Sequence, residues 1–166
     1  MKNNILLIGF MGVGKSTIGR MLCKNNQDKF FLDTDDLIES FYGDTIANIF
    51  ASHSEEYFRK LEYRVASWLS LNMNNSVIAT GGGFYKSYNM KEIGKVIYLK
   101  SEFENIIKRL KYESDFTKEV DKRPLLKDLD NAKKLYNSRV LEYQEIADET
   151  IEVDNLSLEK ITSKLR

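Results

Sequence analysis

The sequence predicts an α/β protein built on a five-stranded parallel sheet with helices on both faces. Two observations carry that prediction. Short apolar runs alternate with stretches of helical periodicity along the chain, which is the pattern of β-α units. Several of these runs are apolar throughout, as expected of strands covered on both faces.

The elements follow in order. Ile5-Leu6-Leu7-Ile8 lies in a first strand over about Asn4 to Gly9. A helix over Lys15 to Asn25 sets Ile18, Met21 and Leu22 on one face. Phe30-Phe31-Leu32 forms a second strand ending at Asp33. Asp36-Leu37-Ile38-Glu39 reads as a capping box that opens a short helix, with Asp36 as the cap. Thr45 to Leu71 is helical, with one stripe of Ile46, Ile49 and Phe50 and another of Phe58, Leu61, Val65, Trp68 and Leu69. A break at Ser52 to Glu55 divides it, with Ser54 as the second N-cap. Ser76-Val77-Ile78-Ala79 and Val96-Ile97-Tyr98-Leu99 are the third and fourth strands. Ser101 is expected to cap a helix to about Lys111. Tyr112 to Lys122 is polar, has mixed charge and lacks an apolar stripe. Asn131 to Ala147 is helical, Thr150 to Val153 is the fifth strand, and Ser157 to Leu165 closes the chain as a helix. Neither linkers nor repeats interrupt this order, so residues 1–166 are expected to form one domain.

Composition narrows the function. The 166 residues carry no formal net charge, so nothing points to nucleic acid or a membrane surface. Apolar runs stay well short of the ~20 residues of a membrane span. The first strand starts too early for a signal peptide. Cys23 is the single cysteine, which suits a reducing compartment and the role of a small buried apolar residue. His53, the single histidine, cannot build a histidine metal site. A cytoplasmic protein is expected.

The most specific motif is Gly9-Phe10-Met11-Gly12-Val13-Gly14-Lys15-Ser16. A glycine, four residues and Gly-Lys-Ser between a strand and a helix is the phosphate-binding P-loop. Its N–H groups form an anion nest, and the following helix N-terminus adds partial positive charge. Lys15 is a mobile point charge, and the Ser16 hydroxyl is a hard oxygen ligand suited to Mg²⁺. The motif specifies a nucleoside triphosphate and leaves open what is done with it. In such sheets ligands lie at the carboxyl ends of the strands. Three further groups fall there. Asp33 and Asp35 follow the second strand: one carboxylate can hold Mg²⁺ through water while the other holds a substrate hydroxyl. Gly81-Gly82-Gly83 follows the third, where bare backbone allows close approach to a ligand. That strand ends in Thr80 rather than in the acid that often supports Mg²⁺, which leaves Asp33 as the metal support. Arg59 and Glu62 are three apart on a helix, either as a surface pair or with Glu62 orienting Arg59 toward an anion. Arg139 lies between Tyr136 and Tyr143 at helical spacing. Arg123 precedes Pro124 and is held toward extended geometry, where it can close over a transferring phosphoryl group.

Taken in order, Gly-Phe-Met-Gly-Val-Gly-Lys-Ser, Phe-Leu-Asp-Thr-Asp, Phe-Arg-x-Leu-Glu, Gly-Gly-Gly, Arg-Pro-Leu-Leu and Arg-x-x-x-Tyr resemble the shikimate kinase family from Asn4 to about Asp154. The resemblance implies a three-layer P-loop NTPase fold of the nucleoside-monophosphate-kinase type. It would have a substrate-binding helical region over about 34–62 and a mobile lid over about 112–124. It implies transfer of the ATP γ-phosphate to the 3-hydroxyl of shikimate, on the route to aromatic amino acids. Gly12, Val13, Gly14, Lys15, Ser16 and Thr17 would bind ATP, with Arg123 arriving from the lid. Arg109 is the candidate for the adenine. Ser16 and, through water, Asp33 would support Mg²⁺. Asp35 would hold the shikimate hydroxyls and accept the proton. Arg59, Arg139, Gly82 and Gly83 would bind the carboxylate, and Glu62 would orient Arg59. Lys15, Asp35 and Arg123 are the catalytic candidates. The partners implied are ATP and shikimate, acted on by a monomer. The lid departs from the family pattern: it is longer and more acidic, with Glu113, Asp115, Glu119 and Asp121, and it stretches the spacing from Arg109 to Arg123. Two other readings stand beside this one: another small-molecule kinase of the same fold, acting on gluconate or a nucleotide, and a P-loop nucleotide-binding switch.

Overall fold

The structure, a computed structural model, describes residues 2–26, 28–113 and 116–165. The strands are β1 (Ile5–Ile8), β2 (Phe30–Asp33), β3 (Ser76–Ala79), β4 (Lys95–Lys100) and β5 (Glu149–Glu152). The helices are α1 (Lys15–Asn25), α2 (Thr34–Tyr42), α3 (Ile46–Ser52), α4 (Glu55–Asn72), α5 (Phe103–Glu113), α6 (Phe116–Lys122), α7 (Leu129–Ile146) and α8 (Leu158–Lys164). Short 3₁₀ turns at Phe84–Lys86, Met90–Glu92 and Pro124–Lys127 complete the described residues.

All strands are parallel in the order β2-β3-β1-β4-β5. Because successive strand residues face opposite sides, the apolar runs feed two cores. Leu7, Val77, Ile97 and Leu99 join Ile18 and Leu22 of α1, Ile106 of α5, Ala132 of α7 and Ile161 of α8 on one face. Leu6, Ile8, Ile78, Val96 and Tyr98 join Ile38 of α2, Ile49 of α3 and Phe58, Leu61, Val65 and Leu69 of α4 on the other. This double covering explains why the runs read as continuous rather than alternating.

Five expectations need correction. Helix α2 begins at Thr34, not at Asp36, because the Asp33 carboxylate accepts from the Asp35 N–H and is itself the N-cap. Asp36 falls in the first turn, and Glu39 turns away to accept from the Ile46 N–H at 2.8 Å. Ser101 does not cap α5: its hydroxyl donates to Asp154, which also accepts from the Glu102 N–H. Helix α7 starts two residues earlier than expected, capped by Asp128. Trp68 of α4 and Phe50 of α3 do not join the buried stripes, and each is 44% exposed. The segment 112–122 does have apolar anchors, since Phe116 and Val120, four apart on α6, pack on the first core. Asp115 and the side chains of Glu113, Glu119 and Asp121 lie outside the described residues. The Ser54 cap stands where the sequence places it, accepting from the Tyr57 N–H.

Asn4 ties the end of α4, the start of β3 and the turn before β4 together. Its Nδ2 donates to Met73 O at 3.0 Å and Ile93 O at 2.9 Å, and its Oδ1 accepts from the Ser76 N–H at 3.0 Å. The residue is buried, so each of those backbone groups would otherwise lack a partner. Asn4→Leu should therefore destabilise the protein by about 2–4 kcal/mol, read as a lowered urea midpoint; an unchanged midpoint would show that water replaces the amide.

Candidate active site

The site forms at the carboxyl ends of β1, β2 and β3. Adjacent pairing of β1 and β3 brings the P-loop and the triple glycine out side by side, with the Thr80 N–H bonded to Leu7 O at 3.2 Å. Gly9, Gly12 and Gly14 all have positive φ. A Cβ at Gly9 would stand 2.7 Å from Leu99 O, and one at Gly12 would stand 2.8 Å from Leu110 Cδ1, so the loop is pressed onto β4 and α5. Arg109 of α5 donates to Gly12 O at 2.6 Å, which places it beside the loop. The α1 N-terminus carries no acid in its first turn, so its partial positive charge is free to meet an anion.

Lys15 folds back over the loop, donating to Gly9 O at 2.8 Å and Phe10 O at 3.1 Å. Burial lowers its pKa to about 8, against the pull of Asp35 and Asp33. The Ser16 hydroxyl donates to Asp33 Oδ2 at 2.8 Å, while Asp33 Oδ1 caps α2. A hydroxyl and a carboxylate paired at a phosphate loop are hard oxygen donors of the kind Mg²⁺ takes. Asp35 stands next along α2, with Oδ1 against Gly81, whose own N–H donates to Thr34 Oγ1 at 2.9 Å. Burial, reinforced by Asp33 and opposed by Lys15, raises the Asp35 pKa to about 7.

Facing these groups are the arginines. Arg59 Nη1 donates to Glu62 Oε2 at 2.5 Å and Arg59 Nη2 to Glu55 Oε1 at 2.9 Å. Glu62 is only 1% exposed, and Ser87 Oγ donates to the same Oε2 at 2.8 Å. Of the two readings of the Arg59–Glu62 pair, the surface pair therefore fails: the acid is inside. Arg139 is 7% exposed, and among the described residues its Nε finds no partner. A buried donor left over in a cleft is suited to an anion. Tyr143 OH donates to Gly82 O at 2.6 Å and thereby fixes the loop that Arg139 packs against. Arg123 precedes the 3₁₀ turn at φ −133° and ψ 77°, short of the fully extended geometry expected before Pro124, and reaches the same cleft.

These groups line one cleft of about 970 Å³, walled on its apolar side by Ile46, Phe50, Phe58 and Leu125. All the candidate residues except Val13, in the buried turn of the P-loop, line it. Three contributors escaped the sequence analysis: Glu55, Ser87 and Tyr143 as an anchor. Glu55 had a signal, four residues before Arg59 on a helix; Ser87 lies 25 residues from Glu62 and had none.

A P-loop after the central strand of a parallel sheet, sharing a cleft of small-molecule size with a buried carboxylate and two arginines, defines a P-loop kinase. The comparisons narrow the class. A family model described as shikimate kinase matches residues 11–166. The shikimate kinase of Helicobacter hepaticus is 43% identical, over 94% of this chain and 90% of its own. That of Dictyoglomus turgidum is 37% identical over 99% and 96%. Among solved structures, shikimate kinase from Acinetobacter baumannii in complex with shikimate superposes with a TM-score of 0.83 at 32% identity, over 99% of this chain and 91% of that one. The Aquifex aeolicus enzyme gives 0.77 at 35% identity, over 98% and 93%. The chain belongs to the shikimate kinase family and has its P-loop fold.

The two shifted groups set a pH dependence of stability. Between the ordinary carboxyl value of 3.8 and about 7, Asp35 binds more protons in the folded state, so its contribution to stability falls as pH rises through that window. Lys15 is the reverse: between about 8 and 10.5 the unfolded state binds more protons, and stability rises with pH. At pH 8 Asp35 is ionised at a cost. Asp35→Asn should stabilise the ligand-free protein there by about 1–3 kcal/mol and by much less at pH 4.5. Urea unfolding at both pH values checks this; equal effects would mean that Asp35 is solvated.

Proposed function

We propose that this shikimate kinase family member transfers the γ-phosphate of ATP to the 3-hydroxyl of shikimate, giving shikimate 3-phosphate and ADP. The observation that carries the reading is the pair of arginines packed on the Gly82-Gly83 backbone, beside Asp35 on Gly81 in the same cleft. A cyclohexene carboxylate has one anionic end and a cluster of hydroxyls, which matches that polarity. Arg59 and Arg139 grip the carboxylate through charge-assisted bonds, with backbone N–H groups of Gly82 and Gly83 beside them. Glu62 holds Arg59 in orientation. The apolar wall takes the ring, and Asp35 reads the hydroxyls.

The phosphates lie in the loop from Gly12 to Thr17, with Lys15 leaving the carbonyls of Gly9 and Phe10 to follow them. Ser16 and, through water, Asp33 would hold Mg²⁺, which would supply neutralising charge for the phosphates. The acceptor oxygen attacks the γ-phosphorus, the bond to the β,γ-bridging oxygen breaks, and the hydroxyl proton passes to Asp35. A carboxylate with a pKa near 7 is a better acceptor than an exposed one. Positioning and charge stabilisation carry most of such a transfer, so Lys15 and Arg123 contribute more to rate than the base. Arg109, bonded to the P-loop at Gly12, sits where it can also meet the nucleotide. Segment 112–124, with α6 and Arg123, is the lid, and 34–62 is the acceptor-binding region. We read the protein as a monomer, and the lone cysteine suits a cytoplasmic setting.

ADP release should be stimulated by shikimate and not by gluconate or nucleoside monophosphates; stimulation by one of the latter in its place would overturn the assignment. Arg59→Ala should raise the KM for shikimate about 10–100-fold with little change in that for ATP, as loss of a charge-assisted contact requires. Lys15→Ala should lower kcat about 10²–10³-fold, and a near-normal kcat would remove Lys15 from the transition state.

A further inference from the structure

Both terminal nitrogens of Arg59 already hold carboxylates, and the two acids differ. Glu62 is 1% exposed and shared with Ser87, so it is built into the core. Glu55 is 72% exposed, is the first residue of α4 and lines the cleft. Its Oε1 reaches Nη2 at 2.9 Å, and Arg139 and Lys86 attract it as well. The carboxylate of Glu55 thus stands at the mouth of the cleft, at the edge of the arginine that a substrate carboxylate would use.

We propose that Glu55 is an internal competitor for the acceptor's carboxylate, occupying the outer edge of Arg59 until an anion with a second anchor displaces it. The proposal rests on the reading that Arg59 binds the acceptor. Two carboxylates cannot share the edge without mutual repulsion, and an exposed side chain at a helix start can swing into water at little cost. A substrate that also engages Arg139 and the glycine N–H groups has enough contacts to displace Glu55. A simple anion such as acetate has one contact and loses to a carboxylate tethered four residues away. The residue therefore acts as a selectivity filter, in contrast to Glu62, which holds the guanidinium from behind and never leaves.

The test compares Glu55→Gln, Glu62→Gln and Arg59→Ala in the full-length protein, by steady-state kinetics and by calorimetric binding of shikimate. Glu55→Gln should lower both the KM and the Kd for shikimate about two- to fivefold, the range an exposed ion pair supports. The change should fall on KM rather than kcat, and acetate should become a stronger competitive inhibitor against shikimate. Glu62→Gln should move KM the other way. An unchanged or raised KM in Glu55→Gln, while Arg59→Ala still raises it, overturns the filter and makes Glu55 a helix-surface partner or an orienting residue. An Arg59→Ala enzyme with normal KM overturns the underlying reading instead.

Discussion

A Cβ at position 81 would stand 2.7 Å from Asp35 Oδ1, one at position 82 would stand 2.9 Å from Arg139 Nη1, and one at position 83 would stand 2.6 Å from Arg59 Nη1. The acceptor side of the cleft depends on that bare backbone. Three charged groups from three helices, α2, α7 and α4, converge on one strand end because nothing projects from it. Tyr143 holds the same backbone through Gly82 O, so the loop is pinned and its glycines serve approach rather than flexibility.

Convergence of this kind costs stability. Asp35 and Lys15 are both desolvated enough that each is pushed toward its neutral form. Folding tolerates this because two large cores lie beneath the site. It also divides the labour among the acids. Glu62 is compensated by Arg59 and Ser87 and stays in place, Asp33 is compensated by Ser16 and the α2 N-terminus, and Asp35 keeps the least compensation and the most shifted proton affinity. A buried acid without a fixed partner is the one suited to exchange a proton with a ligand.

The strands and most helices were legible because their cause is local. Ile5-Leu6-Leu7-Ile8 and Val96-Ile97-Tyr98-Leu99 are short β-branched-rich apolar runs of strand length, and Ser54 caps a helix by bonding three residues ahead. The errors share a different cause. Asp33 outcompeted Asp36 as a cap because its second oxygen is held by Ser16 from another element. Asp154 took the Glu102 N–H from 52 residues away. Phe116 and Val120 are too sparse to read as a stripe, yet they land on a core already formed by α5 and α7.

The sequence by itself determined the P-loop and named the residues that the structure gathers around one cleft. A P-loop is a contiguous segment whose glycines, lysine and serine act through their own backbone and the helix they begin, so spacing alone is informative. The six ordered motifs then identified the family. What only the tertiary structure decided is how the charges are partnered: that Glu62 is inside and Glu55 outside, that Arg139 Nε is buried without a partner among the described residues, and that Asp35 rather than Asp33 is the poorly compensated acid. Partnering and desolvation depend on which atoms from distant segments come within hydrogen-bond reach, and no spacing along the chain encodes that.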